Sequence, residues 1–370
     1  GGGFFVIMIN KILRFSIFVI LLVGLPLLGL VLDGNDISPY LEFPPRTGNI
    51  EHAPFSWGFF SVIILLIIIL IIPFSIRWIS YYKRVLLKDT EKIDEIKYSF
   101  PKWGYPGLAI CTLSWLFAWT RFDFFADFQV HTFTPLWISY IIIINALTYR
   151  RKGQCMLTDK PKRFLLLFPV SAVFWWFFEF LNRFVQNWHY VEAQSFSSLT
   201  YFILATLSFS TVLPAVLSTR EYLMTFNRFT IPFNSWATFK TGKGKLFALL
   251  SLFSFSMALL LMGIYPNYLF PLLWVAPGVI IICLQVLFNE KHIFSDLNQG
   301  QWSFLVCACI AALICGFFWE MWNYYSYAKW IYSVPFVSRF FIFEMPVLGY
   351  AGYLPFGLEC VIIGEMVYGK

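Results

Sequence analysis

Charge is what this chain has least of. Only 13% of its 370 residues are Asp, Glu, Lys or Arg, about half the share in an ordinary soluble domain, whereas 59% are hydrophobic and 21% aromatic. With a mean hydropathy of +0.70, that deficit excludes a water-soluble globular fold and puts the chain in the membrane class. Cysteine is also sparse, at seven residues with no CxxC pair. Cys111, Cys283, Cys307, Cys309, Cys315 and Cys360 lie in apolar runs and only Cys155 in a polar loop, so neither a disulfide framework nor a zinc site is read. They suit small apolar filler between packed helices. The net charge of +7 does not call for nucleic acid, because the Lys and Arg residues sit in short loops between apolar runs and read as topology signals.

What is there is a succession of apolar runs. The first follows Lys11 and Arg14 and ends near Leu32; it reads as a retained helix, because no small-residue cleavage site follows. Others occupy 56–76, 105–120, 134–149, 164–185, 200–218, 246–264, 268–288, 303–324 and 347–368. The expected fold is therefore all-α, a single polytopic transmembrane bundle of about ten spans over residues 1–370. Ten spans place 22 of the 27 Lys and Arg residues on one side and 5 on the other, which predicts a bacterial inner-membrane protein with both termini cytoplasmic.

Within this apolar sequence, residues 168–190 (FPVSAVFWWFFEFLNRFVQNWHY) carry a carboxylate, an amide and a guanidinium at helical spacing. An ionisable residue at a membrane helix centre disfavours insertion by about 2.5–3.5 kcal/mol. The pattern returns in 315–332 (CGFFWEMWNYYSYAKWIY). Glu320 and Asn323 answer Glu179 and Asn182 at an offset of 141, and Trp330 and Tyr332 answer Trp188 and Tyr190 at 142. Leu354 and Pro355 likewise answer Leu213 and Pro214 at 141. This predicts a parallel internal repeat, 164–218 with 303–368, to which the spans in 11–76 are peripheral.

The unusual polar residues fall on the outer side, which predicts a polar, aromatic-framed cavity toward the outer leaflet. Glu179 and Glu320 are the catalytic acid and base candidates. Asn182, Arg183, Asn323, Trp188, Tyr190, Trp330, Tyr332, Glu344 and Glu359 are the substrate-binding candidates, with Glu359 a buried carboxylate in want of a partner. Glu179, Asn182 and Arg183 share a helix face, so glutamate and arginine are expected to neutralise each other; the structural alternative is a packing ion pair or interhelical hydrogen bond. Asp123, Asp127 and His131 at i, i+4 and i+8 would line one face of an α-helix as metal ligands, or be ordinary interfacial polar residues in a loop. No cofactor is assigned by these patterns. The partners they imply are membrane lipids, a lipid or isoprenoid substrate, or subunits of a larger membrane complex; a transporter is the other functional class.

The blocks HTFTPLWISYIIIINAL, FPVSAVFWWFFEFLNRFVQNWHY, FFWEMWNYYSYAKWIYSVPF and FEMPVLGYAGYLPFGLE resemble an uncharacterised family of bacterial polytopic membrane proteins. A helix glutamate, a W-x-Y segment and a later Pro and Glu in an apolar run are similar to the lycopene cyclase domain family, built from tandem helical repeats. That family's paired P-x-E-E is reduced here to Pro355 and Glu359. The likeness implies a membrane enzyme that protonates a carotenoid polyene.

Overall fold

The computed structural model describes Arg14 and residues 16–48, 50–88, 96–239 and 244–369. Lipid offers no hydrogen bonds to a backbone, so apolar runs must close theirs internally. They do so as helices α1 (Ser16–Leu32), α2 (Trp57–Lys88), α3 (Gly104–Trp119), α4 (Phe133–Lys152), α5 (Pro161–Val185), α6 (Ser198–Phe209), α7 (Val212–Leu223), α8 (Gly244–Met262), α9 (Ala276–Leu287), α10 (Ser303–Tyr324) and α11 (Tyr353–Tyr368). Strand is confined to two short pairs: β1 (Trp188–Tyr190) with β2 (Trp330–Tyr332), and β3 (Phe341–Ile342) with β4 (Met345–Pro346).

Six stretches are long and apolar enough to cross a membrane alone: Trp57–Val85, Pro161–Val185, Ser198–Leu223, Gly244–Met262, Ser303–Tyr324 and Val347–Tyr368. Two bent pairs bring the number to eight, Asp123–His131 with α4 at 63° and Pro266–Trp274 with α9 at 55°. The chain is thus a multi-pass helical membrane protein with six to eight candidate spans among the described residues. The other two crossings expected from sequence are α1 and α3, each about 25 Å long at 1.5 Å per residue, short of a hydrocarbon core of about 30 Å.

The hub is α7, buried from Val212 through Thr219 and packed on α4, α5, α10 and α11. It is separated from α6 by a break that Ser171 of α5 bridges, its Oγ donating to the Phe209 carbonyl (2.6 Å) and accepting from the Leu213 N–H (3.0 Å). Helix α11 lies close on α10 because residue 357 is glycine; a Cβ there would stand 2.4 Å from the Ala308 carbonyl oxygen. Interhelical polar contacts lock α4 to α7: Tyr140 with Thr219 (2.9 Å) and Asn145 with Ser218 (2.9 Å).

The loops gather at two ends. At one, Thr47 donates to the Trp188 carbonyl, Ser56 N–H to that of Phe336, Val191 N–H to that of Lys329, and Arg121 to that of Tyr325. At the other, Tyr98 N–H meets the Arg150 carbonyl, Lys152 pairs with Glu221, Trp236 N–H meets the Gly300 carbonyl and Arg163 binds that of Tyr368. The first end carries both W-x-Y segments, and among the described residues the second carries Arg150, Lys152 and Arg163.

Candidate functional site

The site is built where α5 and α10 end. Gln186 takes a left-handed conformation (φ 48°) and its N–H closes on the Asn182 carbonyl, turning the chain back over the helix terminus. Asn182 fixes that return: its Oδ1 accepts from the Asn187 N–H (2.9 Å) and its Nδ2 donates to the Trp188 carbonyl (2.8 Å). Asn323 does the same for Trp330, accepting from its N–H (2.9 Å) and donating to its carbonyl (2.7 Å). Both asparagines are fully buried. The strands they hold pair antiparallel, Trp188 opposite Tyr332 and Tyr190 opposite Trp330. Two distant segments become one site through this contact.

Alternation along each strand turns the tryptophan and tyrosine to one face, where they meet a buried carboxylate. Glu179 Oε1 accepts from Tyr190 OH (2.7 Å), Trp188 Nε1 (3.0 Å) and Trp175 Nε1 (3.0 Å). Glu320 Oε1 accepts from Tyr332 OH (2.8 Å) and Tyr353 OH (2.8 Å), while Trp330 Nε1 supports the Tyr332 hydroxyl (3.0 Å). Glu320 Oε2 has no partner among the described residues. Burial and the adjacent carboxylate raise both Tyr190 and Tyr332 well above the usual phenol pKa of 10, so these hydroxyls remain protonated donors.

Trp175 and Tyr353 are the donors that the sequence reading missed. At the offset of 141, Trp175 corresponds to Gly316 and Val212 to Tyr353. The Tyr353 ring fills the space over Gly316, where a Cβ would approach it to 2.4 Å. Each cage therefore draws its third aromatic from a different helix, α5 in one and α11 in the other. The exchange of a large residue for a small one at two aligned positions was the available signal.

In front of the cages lies a cavity of about 520 Å³. Its wall includes Trp175, Trp188, Tyr190, Asn187, Trp274, Trp319, Trp330, Tyr332 and Tyr353, together with Ile63, Leu66, Ile67, Leu70 and Ile71 of α2. The expected polar cavity is instead a mainly apolar one. The carboxylates are enclosed behind aromatic donors, so it is indole and phenol that face the space.

Several sequence candidates lie elsewhere. Arg183 does not pair with Glu179; its guanidinium binds the carbonyls of Pro39 and Glu42 and anchors the 33–56 loop. Glu344 forms an ion pair with Lys329, and it is Lys329 that reaches the cavity wall. Glu359 has its partner in the N–H of Gly278 (2.8 Å), in the first turn of α9, away from the cavity. Asp123, Asp127 and His131 belong to a 3-10 helix and are exposed. At three residues per turn, positions i, i+4 and i+8 point 120° apart rather than along one face. Among the described residues no cluster of three or more His, Cys, Asp or Glu could hold a metal.

His189, between Trp188 and Tyr190, is buried with Nδ1 unpartnered among the described residues, and burial lowers its pKa below 6.5. A base whose folded pKa is depressed binds its proton more readily when unfolded, so its stability contribution is complete above about pH 6.5 and falls as pH drops below that. The thermal midpoint in detergent should decrease from pH 7.5 to pH 5.5, and His189→Gln should flatten that slope.

Comparison of the chain with protein-family models, with characterised proteins and with solved structures gives no match.

Proposed function

We propose that this protein binds a chain lipid, of isoprenoid or related type, in the cavity facing α2 and acts on it by acid/base chemistry through two carboxyl–phenol pairs, Glu179 with Tyr190 and Glu320 with Tyr332. The observation that carries the reading is that the donor shells of two buried glutamates, Trp175, Trp188 and Tyr190 for one and Tyr332 and Tyr353 for the other, line one mainly apolar cavity. A phenol this reluctant to ionise gives up its proton only if a neighbour replaces it at once, so each pair works as a relay. Glu320, with one oxygen unpartnered, has room to hold a proton and is assigned as the acid. Glu179, with three donors on one oxygen, is assigned as the base. Asn182 and Asn323 position the strands, and the cages are the two members of the parallel repeat.

The same reading takes α1 and α3 as short crossings completing a ten-span topology, with the basic loop end cytoplasmic and the cages toward the outer leaflet. Its chemistry agrees with the similarity to the lycopene cyclase domain family.

Native mass spectrometry of protein extracted in mild detergent tests it, comparing wild type with the Glu179→Gln, Glu320→Gln double variant. Glutamine keeps an acceptor oxygen for the aromatic donors but cannot shuttle a proton. The expected result is a co-purifying chain lipid of the same mass in both samples, because adding and removing a proton leaves the formula unchanged, with the unreacted isomer in the variant distinguished from the product by chromatography of the released lipid. Unliganded protein in both samples, with cellular lipid and pigment profiles unchanged, would sink the reading. Attachment to other polypeptides in both would make it a structural subunit, and gradient-dependent flux in vesicles a transporter.

A further inference from the structure

Helix α2 is a wall between the cavity and the bilayer. Ile63, Leu66, Ile67, Leu70 and Ile71 line the space, and their spacing of i, i+3, i+4, i+7 and i+8 makes them one stripe of the helix. Leu65, Ile68 and Ile72, on the opposite face, are exposed. Of the most apolar stretch of Trp57–Val85 only 6% is buried, so α2 stands at the edge of the bundle rather than inside it.

Its two ends are held differently. Away from the W-x-Y segments, Arg77 Nε donates to the Pro232 carbonyl (2.7 Å), Trp78 Nε1 donates to that of Arg228 (3.0 Å), and Phe74 packs edge-on to Trp236 and Trp302. At the W-x-Y end the helix is clasped by rings: Phe336 on Phe59 (4.8 Å between centroids), and Phe340 on Phe60 and Trp57 (5.8 and 6.1 Å), with the Arg339 guanidinium over Trp57. The Ser56 N–H donates to the Phe336 carbonyl, and the Phe336 N–H to that of Ala53.

That clasp is strained. Phe336, Phe340 and Phe343 have φ of 63°, 57° and 55°, a region that bulky side chains rarely enter. The Val337 N–H closes on the Pro335 carbonyl (2.7 Å), so Phe336 is the centre of a γ-turn with positive φ, the strained form. Such backbone persists only where its surroundings hold it, and it gathers in segments that switch. Letting go of α2 relieves this clasp, whereas letting go at the opposite end breaks side-chain hydrogen bonds and relieves nothing. Between the cavity stripe and that firmer end lies Pro73. Its missing N–H leaves a carbonyl one turn earlier without a helical partner, and proline is where helices bend.

We infer that α2 is a lateral gate: the arm 57–72 swings on Pro73 when the 336–343 clasp lets go, and a chain lipid enters the cavity from the bilayer. What passes rests on the lipid-site reading above; how it passes rests on the hinge and the clasp.

Two variants outside the cavity wall should move the gate in opposite directions. Protein in nanodiscs is loaded with geranylgeraniol as the probe and challenged with an excess of the deuterated alcohol. Native mass spectrometry then reads the exchange rate, and a titration reads affinity. Phe340→Ala removes two ring contacts and should speed exchange about tenfold. Pro73→Ala restores a helical hydrogen bond and should slow it about five-fold. Affinity should be unchanged in both, because a gate alters loading and release alike. Hydrogen exchange of the wild type without probe is a second reading that needs no variant to fold. The Ser56 and Phe336 amides should exchange at least about tenfold faster than those of Trp236 and Trp302 at the firmer end, which are also backbone-bonded. Exchange rates unchanged in both variants, or changed only through affinity, would overturn the gate and leave the lipid site standing. If geranylgeraniol does not bind, the lipid reading loses its support and hydrogen exchange alone judges the gate, where equal protection at the two ends would overturn it.

Discussion

Asn182→Ala is expected to destabilise the protein by about 2–4 kcal/mol, because it strips the acceptor from the buried Asn187 N–H, a group costing about 1–3 kcal/mol when left unmade, removes one of the two donors to the Trp188 carbonyl, which keeps Thr47 Oγ1, and loosens the cage behind them. Side-chain hydrogen bonds between membrane helices average only about 0.6 kcal/mol, since the dissociated helices find other partners. The larger figure applies here because the Asn187 N–H left behind is a backbone group in a tight return over the helix end, held by the Asn182 amide oxygen. Asn323→Ala should behave alike through Trp330. Asn182→Asp separates the two halves of the effect: it retains the acceptor for Asn187 N–H and loses the donor to the Trp188 carbonyl. Thermal unfolding in detergent measures all three. A change of less than about 1 kcal/mol for Asn182→Ala would mean that water enters and replaces the amide, and the cage would then be wet.

The asparagines were visible in sequence as polar residues recurring in apolar runs, and so were the glutamates and the W-x-Y segments. Spacing alone gave their grouping, because a polar side chain in a span must be satisfied by something near it. The identity of that partner was not legible. Arg183 looked like the counterion of Glu179 at i+4, yet its length lets it reach the carbonyls of Pro39 and Glu42, while Glu179 is satisfied by neutral donors instead. Helical spacing also misplaced Asp123, Asp127 and His131, since nothing in nine residues distinguishes a 3-10 turn from an α-helix. The pairing of β1 with β2 lay beyond any local pattern: it joins segments 142 residues apart, and only the shared offset hinted at it. The apolar runs gave the helical class directly, but not the bends at α4 and α9, which depend on tertiary packing rather than hydropathy.

Gly316→Trp alone should be severe, and Gly316→Trp combined with Tyr353→Val should largely undo it. In the Glu179 cage a tryptophan on the glutamate's own helix donates to the carboxylate, and the aligned position on the next helix is Val212. In the Glu320 cage the glutamate's helix has Gly316, and Tyr353 enters the vacated space to donate from α11. A tryptophan at 316 with Tyr353 present has no room, because even a Cβ would meet the ring at 2.4 Å. Overpacking costs about 1–3 kcal/mol, and displacing the phenol from a buried carboxylate adds about 1.5–3 kcal/mol. Tyr353→Val alone leaves a cavity and removes a donor from Glu320. Together the changes recreate the arrangement of the first cage, with the new indole N–H replacing the lost phenol O–H. The expected signature is a favourable coupling of about 2 kcal/mol in a double-mutant cycle, within the range for residues in contact. Additivity of the two single effects would show that the cages are alike in sequence spacing but not interchangeable in packing, and would remove the structural support for treating them as members of one repeat.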